Sequence, residues 1–250
     1  MIKIIISGCN GKMGKVLAKI TADQKDLSVV AGIDKNAEGY AHPFPVYADA
    51  SACKEKADVL IDFSHHSALP DLITYCLCTK TPLVVATTGL DEEISKNLLD
   101  ASNSIPIFQT GNMSLGINVL TGLAKKATQA LGDTFDIEII EKHHNQKVDA
   151  PSGTAYLIAN GINEVVEDRK EFVYGRHGKA AVRKNTDIGI HAIRGGTIAG
   201  EHTVIFAGPD EIIEIKHTAL SKDIFALGAI KAARFLANQT TGFYNMNDIL

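Results

Sequence analysis

The chain has 250 residues, and its 25 Lys and Arg against 29 Asp and Glu give a formal net charge of −4. This length accommodates one large domain or two ordinary ones, and a mildly acidic chain without a basic stripe disfavours nucleic acid as a partner. No apolar run approaches the ~20 residues that a membrane-spanning helix needs, so no membrane association is expected.

Short apolar runs alternate with helical patterns in the first half of the chain, and a polar loop bearing glycine or hydroxyl residues follows most of them. The predicted strands are 2–7, 27–33, 59–63, 83–86 and 106–109. Such alternation predicts an α/β fold with a Rossmann-like doubly wound parallel sheet. In these sheets ligands bind beyond the carboxyl ends of the strands. The loop from residue 35 to residue 51 is expected to be the least structured part.

The pattern changes after Ser114, where residues 115–131 form a long helix candidate. A strand at 135–141, a polar loop and a helix to about Val166 follow. The three later strand-like runs are 186–194, 201–207 and 211–217. This order predicts an α+β second domain with a mostly antiparallel sheet. A final amphipathic helix is predicted at 224–236, and its docking place does not follow from its sequence.

A candidate nucleotide site follows the first predicted strand, where Gly8, Gly11 and Gly14 are spaced as Gly-x-x-Gly-x-x-Gly. Backbone N–H groups at such a helix start can hold a pyrophosphate. Asp34, at the end of the second strand, can accept hydrogen bonds from the ribose hydroxyls of NAD, whereas Lys35 can attract the 2′-phosphate of NADP. Because these charges act oppositely on that phosphate, we expect NADH and NADPH both to work, with NADH at least as good. The alternative is a structural turn beside a solvated charged pair.

The most informative segment is the polar loop 141–155. His143 and His144 can exchange protons near neutral pH, and Lys147 offers a positive charge or a proton. Residues 152–154, Ser-Gly-Thr, suit a helix N-terminus that binds a carboxylate. The cluster therefore predicts a site that holds a small carboxylate and delivers a proton to it. The alternative is a polar loop with solvated histidines and a serine that only caps a helix.

This segment, Glu-x-His-His-x-x-Lys-x-Asp-Ala-Pro-Ser-Gly-Thr-Ala, resembles the signature of the dihydrodipicolinate (4-hydroxy-tetrahydrodipicolinate) reductase family of the diaminopimelate route to lysine. Residues 193–203 also resemble a family region, Arg-x-Gly-x-x-x-Gly-x-His, so the resemblance spans essentially the whole chain. It implies NAD(P)H-dependent reduction of 4-hydroxy-tetrahydrodipicolinate to tetrahydrodipicolinate plus water. It also implies a dinucleotide-binding domain of residues 1–114 and 223–250, an inserted substrate-binding and tetramerisation domain of residues 115–222, and a homotetramer.

The resemblance further implies roles for single residues. His143 is the expected acid/base and Lys147 the proton donor. His144 contacts the substrate, whose carboxylate Gly153 and Thr154 hold. The expected cofactor-binding residues are Gly8, Cys9, Asn10, Gly11, Lys12, Met13, Asp34, Lys35, Ala86, Thr87, Thr88, Thr110, Gly111, Asn112 and Met113. Ala86 and Met113 stand where the family more often has a glycine and an aromatic residue.

Other features of the sequence bound the function. The four cysteines form no Cys-x-x-Cys pair, and the N-terminus is typical of a strand rather than a signal peptide, which favours a cytoplasmic protein with reduced thiols. The spacing of its Cys and His residues matches no common zinc pattern, so no metal is expected. Since the two candidate sites fall on different predicted domains, we expect domain closure with hinges near 114–116 and 220–224.

Two other functions fit parts of the sequence. A dehydrogenase of another small acid would share the nucleotide half of the chain. A nucleotide-binding sensor could dispense with His143 and Lys147. The complete polar loop favours the reductase over both.

Overall fold

The computed structural model describes all 250 residues. The chain divides into two compact units, which we call unit 1 (Met1–Ser114 with Asp223–Leu250) and unit 2 (Leu115–Lys222). The C-terminal segment therefore belongs to the same unit as the N-terminal half. No helix is both long enough and apolar enough to cross a membrane.

Twelve strands and six α-helices make up the two units. The strands are β1 (Ile2–Ser7), β2 (Leu27–Ile33), β3 (Val46–Tyr47), β4 (Val59–Asp62), β5 (Leu83–Val85), β6 (Pro106–Gln109), β7 (Asp136–His143), β8 (Glu171–Tyr174), β9 (Asp187–Arg194), β10 (Gly200–Ala207), β11 (Ile212–Ala219) and β12 (Gly242–Tyr244). The helices are α1 (Lys12–Ala22), α2 (Leu69–Thr79), α3 (Glu92–Ala101), α4 (Leu115–Leu131), α5 (Gly153–Asn163) and α6 (Asp223–Leu236). All the strands predicted from the sequence are present, whereas β3, β8 and β12 were not predicted.

Unit 1 is built on a seven-stranded sheet of order β12-β6-β5-β4-β1-β2-β3, in which every neighbouring pair is parallel. The central strand β1 buries Ile4, Ile5 and Ile6 completely, as a parallel strand covered on both faces must. The chain moves outward from β1 to β2 and β3, then restarts at β4 on the other side of β1. The predicted Rossmann-like sheet is confirmed, and the point between β1 and β4 is its topological switch point.

Unit 2 is built on a five-stranded sheet of order β11-β10-β7-β9-β8. Helices α4 and α5 cover one face of it, where Leu120, Ile137 and Ile158 share one apolar core. The expectation of a mostly antiparallel sheet is wrong. β10 is antiparallel to β7 and β11, but β9 is parallel to β7 and β8. The reason is that α5 lies in the connection after β7, and a helical crossover returns the chain in the same direction.

A close approach between two segments of unit 1 predicts a stability effect. A Cβ atom added at Gly228, inside α6, would collide with the carbonyl oxygen of Met113, whereas one added at Gly122, inside α4, would meet no atom within 4 Å. We expect Gly228→Ala to lower the stability of the protein by about 1–3 kcal/mol, because neither backbone can yield easily. Gly122→Ala is the matched control and should be neutral or slightly stabilising. Urea unfolding of both variants measures the difference, and equal midpoints would contradict the packing described.

Candidate active site

A cavity of about 450 Å³ opens beside the carboxyl ends of β1, β2 and β4. Gly8, Gly11, Asp34 and Lys35 contribute to its lining, so four of the residues predicted to bind a cofactor lie around one space. The cavity lies at the switch point of the sheet, where doubly wound folds bind their ligands.

The turn between β1 and α1 requires glycine. Gly8 has a φ of +75°, and an added Cβ there would lie 2.7 Å from the carbonyl oxygen of Phe63. A Cβ at Gly14 would collide with the carbonyl oxygen of Gly8. Gly11 caps α1 without a side-chain hydrogen bond, so the first N–H groups of the helix are not taken up by a capping side chain. Such a turn fits the pyrophosphate of a dinucleotide, as its spacing predicts.

The loop after β2 is bonded to this turn. The Asp34 carboxylate accepts hydrogen bonds from the backbone N–H of Asn10 and from that of Asn36, each at 3.0 Å. The Asn10 side chain donates to the carbonyl of Asn36 at 2.6 Å and contacts the His42 ring at 2.9 Å. Asp34 therefore holds the glycine turn in place besides lining the cavity. Lys35, beside it, is exposed.

Cys9, Lys12 and Met13 complete the predicted glycine-turn segment, and their side chains differ in exposure. Cys9 is fully buried, and burial together with the nearby Asp34 raises the pKa of its thiol to about 11. It is therefore a neutral core residue that can offer a ligand only its backbone. Lys12 is exposed and Met13 half-buried.

A buried carboxylate joins the loops after β4 and β5. Asp62 is fully buried and accepts hydrogen bonds from the Thr87 hydroxyl at 2.6 Å and from the Ser64 N–H at 3.0 Å. Its own carbonyl accepts the N–H of Ala86 at 2.9 Å. Thr87 is therefore occupied inside the unit, whereas Thr88 is exposed. Sequence reasoning gave Asp62 no role, and only the pairing of β4 with β5 reveals it.

The loop after β6 is held by its own side chains. The Asn112 amide oxygen accepts the N–H of Ser114 at 2.8 Å, and the Thr110 hydroxyl accepts the N–H of Asn112 at 3.3 Å. Gly111 is exposed, but Met113 is only 3% exposed. The side chain of Met113 is thus packed inside unit 1, and its expected contact with the nicotinamide ring stays a prediction.

In unit 2, His143 and the backbone of Ser152, just before Gly153, meet at one buried carboxylate, that of Glu141 in β7. Glu141 has no solvent exposure and contacts His143 Nδ1 at 2.7 Å. It accepts two hydrogen bonds from the Arg194 guanidinium, both at 2.7 Å. It also accepts the backbone N–H of Ser152 at 3.0 Å. The strand that carries His143 and the turn that begins α5 therefore meet at one side chain.

These contacts determine the protonation of Glu141 and His143. Burial raises the pKa of Glu141, but the Arg194, His143 and Ser152 hydrogen bonds outweigh it and lower that pKa, so the carboxylate is charged. Burial lowers the pKa of His143, and the positive charges of Lys147 and Arg194 lower it further, against the opposing effect of Glu141. The imidazole is therefore biased toward its neutral form.

His202 supports the turn from the neighbouring strand β10. Its Nε2 lies 3.1 Å from the Ser152 hydroxyl, which also accepts the Ala155 N–H and so caps α5. Its ring packs edge-on to that of His143, with centroids 5.2 Å apart. Burial, and then the proximity of His143, lowers the pKa of His202 to about 4, so its ring is neutral near neutral pH.

The remaining predicted residues lie on the same loop. Lys147 Nζ lies 2.7 Å from an oxygen of Asp149, and Arg194 donates to the carbonyl of Asp149 at 2.7 Å. Gly153 opens α5 with nothing within 4 Å of its missing Cβ, which leaves room for a ligand at the helix start. Thr154, the next residue, is half-buried, as is His144 at the start of the loop. Arg194 begins the Arg-x-Gly-x-x-x-Gly-x-His region found in the sequence but was given no role there, although it stands opposite His143 in the register of β7 and β9.

Comparisons with known proteins find relatives of one family along almost the whole chain. Family models described as dihydrodipicolinate reductase, N-terminus and C-terminus, match residues 2–113 and 116–250. A 4-hydroxy-tetrahydrodipicolinate reductase of Caldanaerobacter subterraneus subsp. tengcongensis is 56% identical over 100% of this chain and 98% of the relative. One of Clostridium tetani is 49% identical over 100% of this chain and 97% of the relative.

Solved structures share the fold. A dipicolinate-bound dihydrodipicolinate reductase from Paenisporosarcina sp. TG-14 superposes with a TM-score of 0.83 at 24% identity, and the match covers 100% of both chains. GenD2 of gentamicin A biosynthesis, in complex with NAD, superposes with a TM-score of 0.63 at 11% identity over 95% of this chain and 85% of that one. At these identities the comparison establishes a common fold.

Proposed function

The chain belongs to the dihydrodipicolinate reductase family, and we propose that it reduces 4-hydroxy-tetrahydrodipicolinate to tetrahydrodipicolinate plus water with a reduced pyridine nucleotide. The observation that carries the proposal is the meeting of His143 and the Ser152 turn at the buried Glu141 carboxylate, with Lys147 on the same loop. A proton-exchanging group, a cation and a carboxylate-binding helix start are what reduction of a cyclic dicarboxylate imine needs.

We assign cofactor binding to unit 1 and substrate binding to unit 2. The glycine turn and the start of α1 hold the pyrophosphate, and Asp34 accepts from the ribose hydroxyls. The bound pyridine nucleotide supplies the hydride. The loops 86–88 and 110–113 follow neighbouring strands of one parallel sheet, so they border the same edge as the glycine turn.

In unit 2, Gly153 and Thr154 hold a substrate carboxylate at the N-terminus of α5, where the helix dipole favours negative charge. His144, on the same loop, contacts the substrate. Lys147 attracts the carboxylate. It also donates a proton to the carbon–nitrogen system of the substrate ring, where negative charge develops during the reduction. His143, with Nδ1 turned to Glu141, takes up a proton at Nε2 and gives it back, which suits an acid/base.

The test of this function is the loss of the reduced nicotinamide absorbance with freshly made 4-hydroxy-tetrahydrodipicolinate from a coupled dihydrodipicolinate synthase. We expect rapid oxidation that depends on the synthase. A protein that binds NADH but oxidises none would be a sensor, whereas oxidation only with another small acid would make it a different dehydrogenase.

The same assay measures cofactor preference. We expect kcat/KM for NADH and NADPH to differ by less than about a hundredfold, with NADH at least as good, because Asp34 repels a 2′-phosphate and exposed Lys35 attracts it. Lys35→Ala should raise the KM of NADPH and leave that of NADH nearly unchanged. A wider gap in the parent protein, or equal effects of Lys35→Ala on both cofactors, would contradict this interpretation.

We also propose a homotetramer assembled through the uncovered face of the second sheet. On that face Ile193 and Ile212 are 45% and 65% exposed, while α4 and α5 cover the other face. Apolar residues on a free sheet face favour a covering partner, and sedimentation equilibrium measures the assembly state directly.

A further inference from the structure

Glu141 and Arg194 form a bidentate ion pair inside unit 2. Both guanidinium nitrogens of Arg194 that face Glu141 donate to it, one to each carboxylate oxygen. Each carboxylate oxygen has one further contact: Oε2 contacts His143 Nδ1, and Oε1 accepts the backbone N–H of Ser152. A carboxylate without solvent exposure that keeps four contacts with three residues fixes their geometry strongly, since breaking any contact leaves a buried polar group unsatisfied.

The contact with Glu141 determines which nitrogen of His143 is available. A charged carboxylate only accepts hydrogen bonds, so His143 Nδ1 must carry the proton. Nε2 is then the nitrogen that can exchange a proton with a ligand. The ring is enclosed on another side by Gly200, where an added Cβ would lie 3.2 Å from Nε2, and by the edge-on ring of His202.

The same pair also holds the loop between His143 and α5. Glu141 binds the N–H of Ser152 at the helix start, and Arg194 binds the carbonyl of Asp149 in the middle of the loop. The proton-exchanging ring and the carboxylate-binding turn are thus held at a fixed separation by two side chains that need not touch the substrate.

We propose that Glu141 and Arg194 are positioning residues, which fix the tautomer and orientation of His143 and its separation from the Ser152 turn. The inference rests on the proposed function for the catalytic meaning of His143, but the positioning itself is measurable without substrate. Arg194 has a second task, because its charge partly offsets that of Glu141 beside an imidazole that burial already biases toward the neutral form.

Removing the charge of Glu141 and removing that of Arg194 should therefore shift the pKa of His143 in opposite directions. The titratable groups facing its ring are Glu141 and Lys147 from its own strand and loop, Arg194 from β9 and His202 from β10. Without the Glu141 charge, the positive charges of Arg194 and Lys147 act alone and disfavour imidazolium. Without Arg194, the carboxylate is uncompensated and favours imidazolium.

The experiment is an NMR titration of the His143 ring in the full chain. Glu141→Gln should lower the pKa of His143, and Arg194→Gln should raise it. Glu138→Gln is the matched control. Glu138 lies on the same strand, with its carboxylate 2.7 Å from the His191 ring and in contact with Arg176 and Arg183. Being three residues from Glu141, it faces the opposite side of the sheet. Glu138→Gln should therefore leave the titration of His143 unchanged.

Turnover gives a second readout. Glu141→Gln should lower kcat by roughly ten- to a hundredfold, because a misplaced acid/base works poorly, with NADH affinity unchanged. Arg194→Lys keeps the positive charge but loses the bidentate hydrogen bond to Glu141. It should therefore lower kcat while the pKa of His143 stays near that of the parent.

Shifts in the same direction, or no shift, in the two glutamine variants would overturn the proposal. If a glutamine variant does not fold, Arg194→Lys still decides, because unchanged turnover there contradicts a positioning role. A parent protein inactive toward 4-hydroxy-tetrahydrodipicolinate would refute the proposed function, while the opposed shifts would still establish the positioning.

Discussion

Replacing His143 with glutamine is expected to lower kcat by about a hundredfold to ten-thousandfold and to leave the affinity for NADH nearly unchanged. Glutamine can still hydrogen-bond to Glu141 from the position of the ring, so the buried carboxylate keeps a partner. It cannot take up and return a proton near neutral pH, and that exchange is the function assigned to the imidazole. Steady-state kinetics measures kcat, and quenching of protein or NADH fluorescence measures cofactor binding.

His177→Gln is the control for this variant, because His177 lies on an exposed loop of the same unit and should retain parental kcat. Activity of His143→Gln equal to that of the parent would remove His143 from the mechanism. A matching loss of NADH affinity would instead indicate a general disturbance of the protein.

The strands that the sequence predicted are those with long apolar runs, and the ones it missed are short and poorly buried. β8 has only four residues, two of them exposed, and β12 has three without a buried one. Such strands show neither an apolar run nor a period-2 alternation, and they form because a neighbouring strand offers unpaired backbone groups. Strand direction was missed in unit 2 for a related reason, since pairing depends on where the crossover containing α5 returns the chain.

In the candidate site, too, sequence could predict the residues that lie close together in the chain but not the partners that strand pairing brings together. His143, Lys147 and the Ser152 turn are near neighbours in sequence, so their cluster was visible there. Arg194 lies 53 positions from Glu141, and Asp62 lies 25 positions from Thr87. Only the register of paired strands brings these partners together, and no local pattern carries that information. Alternation along β7 did offer one usable signal, because Glu141 and His143, two residues apart, must face the same side.

Replacing Lys147 with alanine is expected to lower kcat/KM at least about a hundredfold, through both a lower kcat and a higher KM for the substrate. A hydrogen bond to a charged partner contributes about 1.5–3 kcal/mol, and loss of a proton donor slows the chemical step further. Lys147 is suited to both tasks because it is paired only with Asp149, whose side chain is 56% exposed. A substrate carboxylate can therefore compete for the ammonium group at little cost.

Lys147→Arg separates the two tasks. Arginine keeps the positive charge but does not give up a proton under ordinary conditions. We therefore expect a KM near that of the parent and a kcat as low as that of the alanine variant. Lys125→Ala, which breaks an exposed ion pair with Glu164 in the same unit, should change neither constant. If Lys147→Arg restored kcat as well as KM, the lysine would be a substrate anchor only, and the proton would have to come from His143 or from water.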